Sequence, residues 1–112
     1  MAKILYVGAE EHMEHMTREE LEEDGHRVLC HPGEHKLFYK IEHENPDLVL
    51  LDDAGGFDTM LNRLQEIRNA FFSLPLILYC AYDTFREDVR SIAADFSIIK
   101  SFDTTELKKK YR

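Results

Sequence analysis

The sequence predicts an α/β fold in which a doubly wound parallel sheet of five strands is covered by helices on both faces, and three observations carry that prediction. Short, continuously apolar runs recur along the chain; each is followed by a stretch with apolar residues at helical spacing; and glycine, proline or asparagine punctuates the joins. A run that is apolar at every position suits a strand buried on both sides, and its alternation with amphipathic helices is the pattern of right-handed crossovers that lay each helix on the sheet. The 112 residues suffice for one such domain with one core, which excludes a receptor joined to an effector.

Ile4-Leu5-Tyr6-Val7, stopped by Gly8, is too brief for a helix and reads as the first strand. From about residue 11 to residue 24, Met13, Met16, Thr17 and Leu21 recur at helical spacing among glutamates, and Gly25 supplies the stop. Arg27-Val28-Leu29-Cys30 is the second strand and Pro32-Gly33 a turn; Leu37, Phe38 and Ile41 make the next helical stripe, which Asn45-Pro46 ends. Asp47-Leu48-Val49-Leu50-Leu51-Asp52 is the most apolar strand, and beyond Gly55-Gly56 a helix carries Met60, Leu61, Leu64 and Ile67. Residues 75–80 give the fourth strand, and Phe85, Val89 and Ile92 a fourth helix. Phe96-Ser97-Ile98-Ile99 is the fifth strand, and Asp103-Thr104-Thr105-Glu106 opens the last helix with a capping pattern.

Composition narrows the function. With 44% hydrophobic, 11% aromatic and 32% charged residues the chain is an ordinary globular mixture. Its 22 acidic against 14 basic residues give a net charge of −8, which repels phosphate backbones and argues against direct nucleic-acid binding; a protein partner or a cation fits better. The longest mostly apolar stretch, residues 71–82, is broken by Ser73 and Pro75 and falls short of the roughly 20 residues that span a bilayer. Two cysteines and no secretory leader lead us to expect the cytoplasm, with no membrane attachment.

Ligands of open parallel sheets bind at the carboxyl ends of the strands, where strand order reverses. Gly8, Ala9, Glu10 and Glu11 follow the first strand; the third ends at Asp52, followed by Asp53 and Ala54; the fourth ends at Cys80 and the fifth at Lys100. One carboxylate and one lysine therefore converge.

Together these strings resemble the receiver domain of bacterial two-component response regulators, over essentially the whole chain. Lys3-Ile4-Leu5-Tyr6-Val7 matches the opening strand, Asn45-Pro46-Asp47-Leu48-Val49-Leu50-Leu51-Asp52 the segment with the phospho-acceptor, and Leu74-Pro75-Leu76-Ile77-Leu78 the fourth strand. Ala81-Tyr82-Asp83 and Ile99-Lys100-Ser101-Phe102-Asp103 fit the last two loops. The resemblance implies a flavodoxin-like (βα)5 sheet in the order 2-1-3-4-5, one receiver-like domain over residues 1–112, and a place in phosphorelay signalling as a phospho-acceptor rather than an enzyme. It further implies that Asp52 attacks the phosphoryl group of a histidine kinase or phosphotransfer protein. Lys100 and Mg²⁺ then neutralise the equatorial oxygens, as an in-line displacement requires. The face that meets a downstream protein maps to residues 84–111.

The departures from the family pattern are as informative. The acidic pair that holds Mg²⁺ in the family falls on Gly8 and Ala9, which carry no side-chain oxygen. A metal site built on Asp52 and the Ala54 carbonyl, with Glu10 reaching in through water, is expected to be weak. Glu10 and Glu11 equally suit the positive start of the following helix. Cys80 takes the place of the switch Ser or Thr and offers a longer, weaker donor, while Ser97 replaces the aromatic switch residue. Ser101 replaces the proline after the lysine and Gly55-Gly56 the Met-Pro pair after the third strand, which alters loop stiffness rather than chemistry. Such an atypical receiver has a rival reading as a phosphorylation-independent docking module. A small-molecule or flavin-binding domain is a third, though no glycine-rich phosphate loop follows the first strand.

Other constellations carry less. His12/His15 and His31/His35 have pair spacings but match no zinc signature. Cys30 and Cys80 end strands three places apart in that order, roughly 14 Å, so they cannot form a disulfide and are expected as small buried hydrophobes. Lys108-Lys109-Lys110 and Arg112 suit the cationic end of the last helix, and the acidic run at residues 19–24 a solvated helix face. The last helix is short for the family, which leaves open a fragment of a larger regulator.

Overall fold

The structure, a computed structural model, describes residues 2–8, 15–33, 36–53, 56–80 and 88–99. Strands β1 (Lys3–Val7), β2 (Arg27–His31), β3 (Leu48–Asp52), β4 (Leu76–Cys80) and β5 (Phe96–Ile99) form one parallel sheet in the order β2-β1-β3-β4-β5. Helices α1 (His15–Glu23), α2 (Leu37–Glu44) and α3 (Phe57–Ala70) join the first four strands, the doubly wound arrangement that the alternation predicts.

Alternation within each strand divides the core in two. Leu5, Val7, Val49, Leu51, Leu76, Leu78 and Cys80 face α2 and α3 and pack on Leu37, Ile41, Met60, Leu61, Leu64 and Ile67. Ile4, Tyr6, Leu48, Leu50, Ile77, Tyr79 and Ile98 face the other way, with Leu21 of α1 among them. Both layers are closed to water, which is why the central strands are apolar at every position. The helix boundaries follow local chemistry. Asn45 caps α2 in the left-handed region at φ 49°, its N–H donating to the Ile41 carbonyl, and Pro46 prevents continuation.

The fourth helix is corrected. Phe85 lies outside the described residues, and Val89–Ala93 forms a 3₁₀ helix rather than an α-helix. Residues three apart eclipse at three residues per turn, and Val89 and Ile92 share the outer side at 75% and 79% exposure. Ala93 and Ala94 pack on the core instead, their small side chains allowing close approach. Asp88 caps this turn by accepting from the Arg90 N–H. The Arg90 guanidinium then ties it to α3 through Asn62 Oδ1 at 2.9 Å and Asp58 Oδ1 at 2.7 Å. Hydrogen bonding from Arg90 holds the Asp88 carboxyl down at about 2, so the clamp is ionic throughout the neutral range.

Three smaller differences stand beside it. Phe38 is half-exposed and meets Phe71 edge-on at 5.8 Å rather than entering the core. Cys30 is only partly buried, on the edge strand β2, where the Arg18 guanidinium donates to Cys30 Sγ at 3.7 Å and to the Val28 carbonyl at 3.2 Å. His26, unremarked in the sequence, is buried, and its Nδ1 accepts from the Ala2 N–H at 2.9 Å. The last helix and residues 11–14 of the first lie outside the described residues. Among the described residues no helix is long and apolar enough to cross a membrane.

Arg68 joins the amino-terminal edge of the sheet to α3. It donates to the Ala93, Phe72 and Leu74 carbonyls and to Asp95 Oδ2, which also accepts from the Leu76 N–H at 2.8 Å. Replacing it by methionine keeps most of the stem and removes every donor, so Arg68→Met is expected to lower stability by about 2 kcal/mol. Urea unfolding at unchanged m-value checks this.

Candidate functional site

The site forms where β1 and β3, neighbours in the sheet though not in sequence, send their connections to opposite faces. Pairing of Val7 with Leu51 and of Asp52 with Tyr79 puts Gly8, Asp52 and Tyr79 abreast at the carboxyl ends of β1, β3 and β4. The Gly8 N–H is tied to the His31 carbonyl at 2.8 Å, so the chain stays in line with the sheet as it leaves β1. Asp52 is 2% exposed, a carboxylate with almost no contact with bulk water.

A buried carboxylate needs donors, and here one is a tyrosine. Tyr6, two residues before Gly8 and therefore on the same face of β1, is fully buried and its hydroxyl donates to Asp52 Oδ2. Burial, and then the hydrogen bond to Asp52, push the Tyr6 phenol well above the ordinary tyrosine range, so it remains a protonated donor. The phenol reaches the carboxylate through space that a side chain at position 8 would occupy. A Cβ on Gly8 would lie 2.8 Å from Asp52 Cβ and 3.3 Å from both Tyr6 Cε1 and the Tyr6 hydroxyl.

Of the residues the sequence singled out, Asp52 is the buried acid at the switch point of the sheet. Cys80 is buried at the end of β4 among the residues facing α2 and α3, and its thiol donates to Met60 Sδ at 3.5 Å. Asp52 is held on the opposite face by Tyr6, so the thiol is engaged in the core. Glu10, Ala54, Lys100, Ser101 and residues 103–112 lie outside the described residues, as do His12 and His35. Ser97, opposite Leu78 in the β4–β5 register, is partly buried. Asp53 is partly buried and its carbonyl accepts from the Gly56 N–H at 3.0 Å, closing the turn into α3; Gly56 makes that turn at φ 103°. Among the described residues no cluster of three or more His, Cys, Asp or Glu could hold a metal ion. His31 Nδ1 instead accepts from the Gly33 N–H at 2.9 Å.

A divalent cation such as Mg²⁺ wants several oxygen ligands around it. The described residues do not fit that need. They bring one carboxylate to the point, its Oδ2 already accepts from Tyr6, and the neighbouring strand offers Gly8 where an acidic side chain would have to project.

Tyr6 is the partner of Asp52 that sequence reasoning passed over, reading it only as part of an apolar strand. A usable signal was present: a buried tyrosine needs a partner for its hydroxyl, and a glycine two positions on along the same strand face leaves room for it to reach sideways.

Comparison with solved structures finds similar chains over nearly the full length. The response regulator protein TrrA from Thermotoga maritima, in complex with Mg²⁺-BeF, is 34% identical, with 98% of this chain and 96% of that one covered and a TM-score of 0.81. The structure of histidine kinase ThkA in complex with response regulator protein TrrA gives 35% identity, coverage of 98% and 95%, and a TM-score of 0.82. The chemotaxis protein CheY4 of Vibrio cholerae, only 18% identical, shares the fold with a TM-score of 0.82 over 98% of this chain and 95% of that one. No protein-family model matches the chain, and no curated protein does.

Proposed function

The chain belongs to the receiver-domain family of response regulators, the acceptors of two-component signalling, and from that premise we propose that Asp52 is its phosphorylation site. The observation that carries the reading is the buried Asp52 carboxylate at the end of the central strand, at the point where strand order reverses. Tyr6 holds Oδ2, and Oδ1 attacks. The new bond joins Oδ1 to phosphorus as the bond from phosphorus to the donor breaks, a histidine nitrogen in a kinase or an acyl oxygen in a small donor. Its electron pair leaves with the donor. Lys100, by its match to the family's lysine, compensates charge on the phosphoryl oxygens. Cys80, at the switch position, couples only weakly to the phosphoryl group, since its thiol is committed to Met60.

Metal binding is weak in this reading, because Asp52, the Ala54 carbonyl and Glu10 are a thin ligand set and Asp52 is already engaged. The domain spans residues 1–112, works in the cytoplasm, and has at most a slow autocatalysed phosphotransfer and dephosphorylation. Its partners are a histidine kinase or phosphotransfer protein and a downstream protein that meets residues 84–111. The kinase partnership draws support from the ThkA–TrrA complex. Incubation with acetyl phosphate, followed by intact mass, tests the acceptor. One phosphoryl group is expected on the natural chain and none on Asp52→Asn; equal gain by both would refute it.

The Tyr6–Asp52 contact also favours a second reading, a docking module that acts without phosphorylation, because the hydroxyl already holds the carboxylate in one arrangement. That reading expects partner binding to be the same for Asp52→Asn.

A further inference from the structure

The disagreement between the site and its metal has a structural cause. β1 carries Tyr6 and Gly8 on one face, and the β1–β3 register sets Gly8 beside Asp52. The space beside Asp52 that a longer side chain at position 8 would enter is crossed by the Tyr6 ring, whose edge and hydroxyl lie 3.3 Å from where a Cβ would sit. Gly8 does not adopt a positive φ, so the backbone makes no demand for glycine here; the demand comes from the space. Tyr6 is fully buried, so its hydroxyl had to find an acceptor inside the protein, and it finds the Asp52 carboxylate.

We infer that Tyr6 and Gly8 are a matched pair that replaces the divalent-cation seat: glycine vacates the position of a metal ligand, and the tyrosine hydroxyl enters to hold the Asp52 carboxylate in the metal's stead. The inference rests on the reading of Asp52 as the acceptor for its meaning, but not for its test. A phenol O–H directs Asp52 and satisfies Oδ2 without carrying positive charge, so the site is organised before any ligand arrives. Tyr6 is thereby a positioning residue for the acceptor, and Asp52 is oriented in the absence of Mg²⁺.

Proton NMR of the intact chain, with Mg²⁺ alone as the probe and no phosphodonor, tests this. A buried hydroxyl donating to a carboxylate gives a far-downfield, slowly exchanging signal. One such signal is expected in the natural chain, absent from Tyr6→Phe and shifted upfield in Asp52→Asn, where the acceptor is a neutral amide. The second variant serves if the first fails to fold. The signal is expected to persist unshifted through a Mg²⁺ titration. Its absence from the natural chain, its indifference to both variants, or its saturable loss on adding Mg²⁺ would each overturn the inference, the last by showing that the cation displaces the hydroxyl. A failure of Asp52 to accept phosphate touches none of these outcomes.

Discussion

Leu50→Ala is expected to lower the free energy of unfolding by about 3–5 kcal/mol, a large part of what a domain of this size has. Leu50 lies in the middle of β3, paired with Tyr6 on one side and Ile77 on the other, and no part of it reaches solvent. Truncation loses the transfer free energy of the removed carbons. It also leaves a cavity that cannot collapse, since the neighbours are held by the ladders on both sides of β3. The same change at the exposed Val89 or Ile92 is expected to stay within about 0.5 kcal/mol. Urea midpoints for the three variants read the difference, and a small loss at Leu50 would contradict the placement of β3 at the centre of the sheet.

Tyr6→Phe is expected to cost about 2–3 kcal/mol, although it removes one atom and leaves the ring. The cost comes from Asp52. A carboxylate with 2% exposure that loses a donor keeps its desolvation penalty and has no water to turn to. In the Asp52→Asn background the same change is expected to cost only about 1 kcal/mol, because the lost bond is then between neutral groups. The difference is the coupling between hydroxyl and charge, and a double-mutant cycle in urea measures it. Equal costs in the two backgrounds would show that the hydroxyl does not bear on the carboxylate. Asp52→Asn alone keeps an oxygen for Tyr6 to bond, so it is a fair chemical control for the acceptor.

The sheet was legible because its strands are short, apolar at every position and separated by chain-breaking residues. Gly8, Gly25 and Asn45-Pro46 end elements where the structure ends them, and the buried stripe Met60, Leu61, Leu64 and Ile67 of α3 stands as read. Val89 and Ile92 misled because a spacing of three fits a 3₁₀ turn as well as an α-helix, and spacing does not say which side faces inward. The decisive residues there, Ala93 and Ala94, are small and carry little hydrophobic signal. Asp52 was legible from its place at the end of the most apolar strand. Its contact with Tyr6 spans 46 residues and exists only through the register of β1 on β3, which no local pattern records. The glycine that permits the contact was read as a missing ligand; it is also a space that another side chain fills.

The central claim is that this receiver takes its phosphoryl group on Asp52. The most direct measurement traps the acyl phosphate by hydride reduction after exposure to acetyl phosphate and maps the modified peptide. The account predicts homoserine at position 52 and at no other carboxylate, with the trapped product absent from Asp52→Asn. Reduction at another Asp or Glu, or a phosphoryl group recovered on a histidine, would contradict it.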